Sequence, residues 1–400
     1  MATVATDPRR RVPPRTAFTV RRRRGALGDF PAGRVMTAEI ALIAIGVAAL
    51  ADDPVLRIVA GAVAVLLVVV VSARLGGRWW LTHLPRRAAL RSRQQAAQDA
   101  VVAARRTGDA RLMALAAMAP GGAIREYRDR GGTIGIGQDE HGWYCALVVA
   151  PFSSLDGTRQ AAFTLDRLAR LFTETSVPVS RVQVVTCVLP APTALLPANS
   201  PLTQSYRELT GADPVQADQA VWVALRLGPA DAADAAASRG GGLDGVDRAL
   251  ATSIARVGKA LSEVDVPYRI LDGTELLDAV SGALGGPAAL GTEHWQLWHA
   301  NALAQVCYEV TEWPTGRPAD FLTGFGRLPS ALVSVAVLVS PADGDVGLRG
   351  LIRIGAPPGE IGRTGRSVEE LARRAGGRVR RLDGEQGPAV YATCPTGGGA

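Results

Sequence analysis

The longest run of apolar positions lies near the N-terminus and is interrupted once. Residues 35–51 and 55–73 are almost wholly apolar, and a short Asp-Asp-Pro sequence separates them. A helix needs about 20 residues to cross a bilayer, with about 17 as the lower limit. Proline suits the first turn of a helix, and an aspartate before it can act as the cap. The pattern therefore predicts a two-helix transmembrane hairpin over residues 35–73.

Charge is distributed unevenly around this hairpin. The net charge is +7 over residues 1–34, −2 over 35–73 and +7 over 74–106, so the remaining residues carry −5. Arginine is enriched on the cytoplasmic side of membrane spans, so we expect both termini in the cytoplasm and the Asp-Asp-Pro loop outside. A signal peptide cleaved at Ala49-Leu50-Ala51 is the alternative. The acidic large domain argues against nucleic-acid binding, which requires a basic folded surface.

The segments around the hairpin differ in composition. Residues 1–34 are rich in Arg and Pro and are predicted to be a disordered cytoplasmic tail. Residues 82–118 predict a helical arm, because positions 86–106 contain neither Gly nor Pro. Its arginines would lie near anionic lipid headgroups. We therefore predict a tail at 1–34, the hairpin at 35–73, a basic juxtamembrane arm at 74–118 and a cytoplasmic body at 119–400.

The body alternates between strand-like and helix-like patterns. Alternating apolar positions predict hairpins at 133–149 and 331–354 and further strands at 182–189, 220–227, 268–271, 305–311, 379–382 and 389–392. Helical periodicity predicts helices at 158–173, 243–264, 274–284 and 367–375, the last with Ser367 as its cap. The order hairpin, helix, strand occurs near 131–189 and again near 331–393. This indicates a mixed α/β (α+β) body with two related lobes.

The chain contains few motifs that carry chemistry. Asp343-Gly344-Asp345 could hold a divalent metal that bridges the diphosphate of a nucleotide sugar, but it lies between two predicted hairpin strands. Asp and Gly are typical residues of such turns. Gly135-Ile136-Gly137 lacks the third glycine of a dinucleotide-binding loop, and no G-x-x-x-x-G-K phosphate loop is present.

Histidine and cysteine do not form a recognisable site. His294 and His299 are five residues apart, whereas a helical metal site needs a spacing of four, so we expect them to pack with the adjacent tryptophans. The four cysteines are far apart and are expected to be buried free thiols. We therefore predict no catalytic, cofactor-binding or metal-binding residue.

The order of features resembles the EccE family of the actinobacterial type VII (ESX) secretion system. The similarity rests on the apolar hairpin, Gly77-Arg78-Trp79-Trp80, the Arg-rich helix, and the hairpin from Ile134-Gly-Ile-Gly137 to Gly142-Trp143. It continues through Trp295-Gln-Leu-Trp298 to Val310-Thr-Glu-Trp313-Pro314. The resemblance implies a degenerate glycosyltransferase-like α/β fold without a working active site. It also implies a non-enzymatic role at the periphery of an inner-membrane channel complex, beside EccB, EccC and EccD.

Two other functions are compatible with the sequence. One is a membrane-anchored, glycosyltransferase-like enzyme that uses Asp343 and Asp345 as a metal site. The other is a lipid-sensing or regulatory membrane protein. It would bind lipid through the Arg-rich collar, which we define as Arg86, Arg87, Arg91 and Arg93.

Overall fold

The computed structural model of the protein describes the body and the arm. The described residues are 83–129, 132–149, 179–191, 199–210, 215–263, 265–285, 290–314, 318–342 and 345–399, with 74–75, 78–79 and single positions between 39 and 65. The predicted tail, the predicted helix at 158–173 and most of the predicted hairpin lie outside them. Across these described ranges, no helix combines the length and apolar character that crossing a membrane requires.

A large antiparallel sheet forms the centre of the body. Its strands are β3 (Ala123–Asp129), β4 (Gly132–Asp139), β5 (Gly142–Val149), β6 (Arg181–Ala191), β7 (Val215–Leu227), β8 (Tyr268–Ile270), β9 (Gly291–Glu293), β10 (Trp298–Ala300), β11 (Leu303–Glu312), β12 (Leu332–Ala342), β13 (Asp345–Ala356) and β14 (Arg378–Arg381). Two short strands, β1 (Arg74–Leu75) and β2 (Arg78–Trp79), pair separately before the arm. The two hairpins predicted from alternating apolar positions are confirmed as β4–β5 and β12–β13.

Helices cover both faces of this sheet. In the described part of the chain they are α1 (His83–Ala104), α2 (Ala110–Met118), α3 (Pro201–Thr210), α4 (Pro229–Ala237), α5 (Gly242–Ser262), α6 (Gly273–Gly282), α7 (Pro318–Phe325), α8 (Ile361–Arg374) and α9 (Gln386–Ala392). Helices α4, α5, α7 and α8 pack on one face, which we call the α5/α8 face. Helices α2, α6 and α9 pack on the opposite α6/α9 face, where one apolar cluster spans the whole sheet.

The two halves of the sheet have the same strand order. The path runs β3-β4-β5-β7-β6 and then β12-β13-β11-β10-β9, so β6 and β12 pair antiparallel at the centre. The short strand β8 adds to β5, and β14 adds to β11 in the equivalent place. Helix α5 connects β7 to β8, and α8 connects β13 to β14. The body is therefore an internal repeat with an approximate two-fold axis between β6 and β12.

This symmetry corrects the predicted repeat. The sequence pattern aligned the hairpin at 133–149 with that at 331–354. In the structure, β4 and β5 correspond to β10 and β11, whereas β12 and β13 correspond to β6 and β7. The halves also share one continuous sheet, so they are not separate lobes. Apolar alternation cannot distinguish these alignments, because every hairpin of the sheet shows the same period of two.

One predicted element and one predicted helix start were wrong near the C-terminus. The strand predicted at 389–392 is part of α9, and the helix predicted from Ser367 begins six residues earlier at Ile361. Ser367 is not a cap, since its hydroxyl donates to the carbonyl of Arg363 within the helix. A short buried apolar run has no period that separates strand from helix. The glycosyltransferase-like part of the fold prediction is not supported by this antiparallel sheet.

Candidate functional site

The helical arm is docked on the body. Helix α2 contributes Ala114, Leu115, Ala117 and Met118 to the apolar cluster of the α6/α9 face. Asp109 caps this helix by accepting the backbone N–H of Arg111 at 2.8 Å. Hydrogen bonds from Arg111 lower the pKa of Asp109 to about 2. Within the predicted arm, residues 83–104 and 110–118 are α-helical, with a break at 105–109 where the chain turns into the core.

Glu293 is the centre of the contact between α1 and the body. Its carboxylate accepts from Nε and Nη2 of Arg93, at 3.1 and 2.8 Å, and from the backbone N–H of Gly387 in α9, at 2.9 Å. Arg93 also donates to the carbonyl of Gly384 at 2.7 Å. Gln94, one residue further along α1, donates to the carbonyl of Glu293 at 2.7 Å. The Glu293 side chain is only 6% exposed and that of Arg93 is 32% exposed, so this bidentate pair is partly buried.

Two further arginines of α1 contact the body. Arg86 forms an ion pair with Glu385 at 3.3 Å, and the guanidinium of Arg87 lies 5.5 Å from the centre of the Trp295 ring. Arg91 is exposed. Three of the four collar arginines therefore bind protein groups in this structure. We call the contact made by Arg86, Arg87, Arg93 and Gln94 the arm interface.

The most buried ion pair among the described residues lies on the α6/α9 face. Asp139 and Arg226 form a bidentate pair at 2.6 and 2.7 Å, and their side chains are 5% and 3% exposed. Arg226 also lies 5.2 Å from the centre of the Tyr144 ring, and Tyr391 donates its hydroxyl to Asp139 at 2.7 Å. Burial by itself raises the pKa of Asp139, but the hydrogen bonds and charge of Arg226 outweigh it and hold that pKa below its ordinary value.

This ion pair holds the C-terminal segment, residues 393–399, against the sheet. Arg226 donates to the carbonyl of Thr396 at 2.6 Å, and Ser334 donates to that of Thr393 at 2.8 Å. Because Arg226 is on β7 and Ser334 is on β12, the segment is bound by both halves of the repeat. The hydrogen bonds of the Asp139–Arg226 pair are made to protein groups, which indicates that the pair has a structural role.

The candidate residues from the sequence are distributed as follows. β12 and β13 pair up to Ala342 and Asp345. The other two residues of the Asp-Gly-Asp motif, Asp343 and Gly344, lie outside the described residues. The rings of His294 and His299 meet edge to face at 5.3 Å. Within the described ranges, no group of three or more His, Cys, Asp or Glu residues could hold a metal ion. All four cysteines are free and buried, as predicted.

The glycines of Gly135-Ile136-Gly137 serve close packing within β4. A Cβ on Gly137 would lie 2.0 Å from the Tyr144 ring, and one on Gly135 would lie 2.4 Å from the carbonyl oxygen of Asp272. The first contact lets Tyr144 lie flat on the sheet, and the second lets α6 begin directly against it. These contacts explain the two glycines without a bound dinucleotide.

The sequence did not reveal the arm interface or the Asp139–Arg226 pair. Both join residues that are far apart in the chain. From the sequence, Glu293 was considered only as a carboxylate beside His294. The one available signal was the excess of arginine on a single helix, which we interpreted as attraction to lipid.

Comparison with known proteins connects this arrangement to a family. Residues 215–310 match the model of the family described as "EccE: Putative type VII ESX secretion system translocon, EccE". This segment is EccE-like. It runs from the start of β7 into β11 and contains both Arg226 and Glu293. The resemblance to EccE is thus confirmed over these residues. It supports a general role for the chain as a component of type VII secretion.

The other comparisons add little to the EccE match. No curated protein matches the chain. One solved structure, "alkyldihydroxyacetonephosphate synthase in P1", is 10% identical with a TM-score of 0.24. The similarity covers 58% of this chain and 39% of that one, and it is too weak to inform the fold.

Proposed function

We propose that this protein is a non-enzymatic structural subunit of a type VII secretion membrane complex. It packs at the periphery of the channel through its membrane hairpin and its cytoplasmic body, beside EccB, EccC and EccD. The EccE match at residues 215–310 supports membership in such a system. The observation that carries the structural role is the arm interface, because a partly buried ion pair there holds α1, which follows the predicted membrane segment, against the body.

The arm can set the position of the body relative to the membrane. Helix α1 has 22 residues and is therefore about 33 Å long. Arg86, Leu90 and Arg93 follow one another at one-turn spacing, and Leu90 is buried, so a single face of α1 meets the body. A helix fixed along one face cannot rotate freely. The body would be held at a constant height and orientation beside the channel.

The described positions of the predicted hairpin support a membrane setting. The side chains of Ile43 and Ile58 are 65% and 72% exposed. Asp53 accepts the backbone N–H of Val55 at 2.9 Å, as expected of a cap on the second helix. A Cβ on Gly46 or Gly61 would meet nothing within 4 Å, so another helix can approach closely there. Such apolar surface requires lipid or partner helices around it.

Co-purification tests the proposed role. We expect the full chain, expressed with EccB, EccC and EccD, to be recovered with all three after extraction in a mild detergent. A variant that lacks residues 35–73 should be recovered free of them, because it loses its packing in the membrane. If EccB, EccC and EccD purify together while the full chain remains separate, the proposed role is wrong.

Thiol labelling tests the proposed orientation. In that orientation the hairpin lies in the inner membrane, and both termini and the body lie on its cytoplasmic side. The native cysteines are buried, so they give little background. We expect a membrane-impermeant maleimide to label Asp53→Cys from outside intact cells and to spare Arg91→Cys, which is exposed on α1. Disruption of the membrane should make both positions reactive. Labelling of Arg91→Cys in intact cells would reverse the proposed orientation.

A further inference from the structure

A groove of about 890 Å³ lies between α7 and α8 on the α5/α8 face. Its apolar floor is formed by Phe321, Leu328 and Leu371, and Gly324 leaves the middle of the floor open. Phe321 and Leu328 are buried in the core of the second half, so this floor is fixed in place. The groove is wide enough to take bulky side chains from another chain.

One face of α8 supplies the charged wall of the groove. Arg363, Arg366, Glu370 and Arg374 recur at intervals of three or four residues, which places them on successive turns. Glu370 pairs with Arg374 at 2.7 Å near the C-terminal end of the helix. Arg363 and Arg366 are exposed near the N-terminal end of the helix. With Arg374, they give the lining three arginines against the two carboxylates of Asp320 and Glu370, so positive charge is in excess there.

We infer that this groove binds an acidic amphipathic segment of a partner protein. A bulky apolar side chain of that segment enters the floor above Gly324, and its carboxylates contact Arg363 and Arg366. Charge complementarity of this kind orients a bound segment as well as attracting it. The inference goes beyond the proposed function, and it depends only on the contacts around α7 and α8.

The shape and charge of the groove favour such a segment over other occupants. The floor is concave, and Asp320 and Glu370 also lie along the wall. A flat membrane surface cannot follow this concave floor, whereas a segment with one bulky side chain can enter it. The N-terminal tail of this chain is also a poor occupant, because its net charge is +7.

Gly324 allows the groove to be filled without disturbing the fold. A Cβ at this position would lie 3.5 Å from Leu371, which is an ordinary contact, and leucine is a better helix former than glycine. Gly324→Leu should therefore fold and occupy the floor. Gly362→Leu is the matched control, since it lies on α8 outside the groove with nothing within 4 Å of its Cβ.

A matched pair of substitutions isolates the charge. Arg366→Glu reverses one of the two exposed arginines at the N-terminal end of α8. Arg327→Glu makes the same change at an exposed arginine that does not line the groove. The two variants have the same net charge, so a difference between them reports the position of the charge.

The test is a peptide selection on the detergent-solubilised full chain. A displayed library of random 16-residue peptides is selected on the wild type and depleted on Gly324→Leu. We expect a consensus with at least two carboxylates beside a bulky apolar residue. A labelled consensus peptide should bind about tenfold more weakly to Gly324→Leu and to Arg366→Glu, whereas the two controls should change its affinity less than about twofold.

Three results would overturn the inference. The first is a library in which no peptide distinguishes the wild type from Gly324→Leu, and the second is a consensus without carboxylates. The third comes from phosphatidylglycerol vesicles mixed with the same variants. Vesicle binding that Arg366→Glu abolishes and Gly324→Leu leaves intact would identify an anionic lipid surface as the ligand.

Discussion

Replacement of Asp139 by asparagine is expected to lower the free energy of unfolding by about 3–5 kcal/mol. The substitution keeps the size of the side chain but leaves the charge of Arg226 buried without its counter-ion. It also weakens the hydrogen bond from Arg226 to the carbonyl of Thr396, so the C-terminal segment is held less firmly. Urea unfolding of the detergent-solubilised chain, followed by the fluorescence of its buried tryptophans, would measure the loss.

Two further variants make this prediction specific. Asp278→Asn removes the charge from a carboxylate that is 54% exposed and pairs with Arg111, so its cost should stay below about 1 kcal/mol. The double variant Asp139→Asn with Arg226→Met should cost less than the sum of the two single changes, because no unpaired charge remains. A cost below about 1 kcal/mol for Asp139→Asn alone would show that water reaches Arg226.

The same variant should change the response to acid. The pKa of Asp139 is lower in the folded state than the value of about 3.9 expected for an unfolded chain. Its contribution to stability is therefore present above about pH 4 and is lost as the pH falls toward the folded pKa. Asp139→Asn should flatten the fall in unfolding free energy below pH 4. An unchanged slope would place that acid sensitivity at other carboxylates.

Replacement of Glu293 by glutamine is expected to release the arm from the body. The change removes the charge that binds Arg93 and weakens the acceptor for the backbone N–H of Gly387. We expect the hydrogen-exchange protection of α1 to fall about tenfold, which corresponds to about 1.4 kcal/mol, while the strands of the sheet keep theirs. Under the proposed function, recovery of the chain with EccB, EccC and EccD should fall as well, because a mobile arm no longer fixes the body.

Variants on the arm test whether the ion pair is responsible. Arg93→Gln breaks the same pair from α1 and leaves α9 untouched, so it should reproduce the effect, and the double variant should add little. Arg91→Gln, two residues away on the exposed side of α1, should behave as the wild type. Equal loss of protection in Arg91→Gln and Arg93→Gln would show that any loss of arginine from α1 has this effect. The ion pair with Glu293 would then not be its cause.

Local sequence patterns correctly located many of the strands and helices of the body. The alternation at 220–227 gave the core of β7, and the periodicity at 243–264 gave α5 to within two residues at its C-terminal end. The strands β3, β9 and β10 and the helices α3, α4 and α7 were not predicted. Strands β9 and β10 have only three residues each, which show little periodicity. The apolar run at 389–392 was assigned to the wrong element, since burial on all sides removes the polar positions that would reveal a helix.

By itself, the sequence determined the α/β class of the body, its main hairpins, the helical arm and the similarity to EccE, because these depend on neighbouring residues. Only the tertiary structure decided how the repeat aligns, where the arm docks and which charges pair. Glu293 meets Arg93, and Asp139 meets Arg226, across long stretches of chain. Such contacts form when the sheet closes and brings distant strands together, and local periodicity carries no record of them.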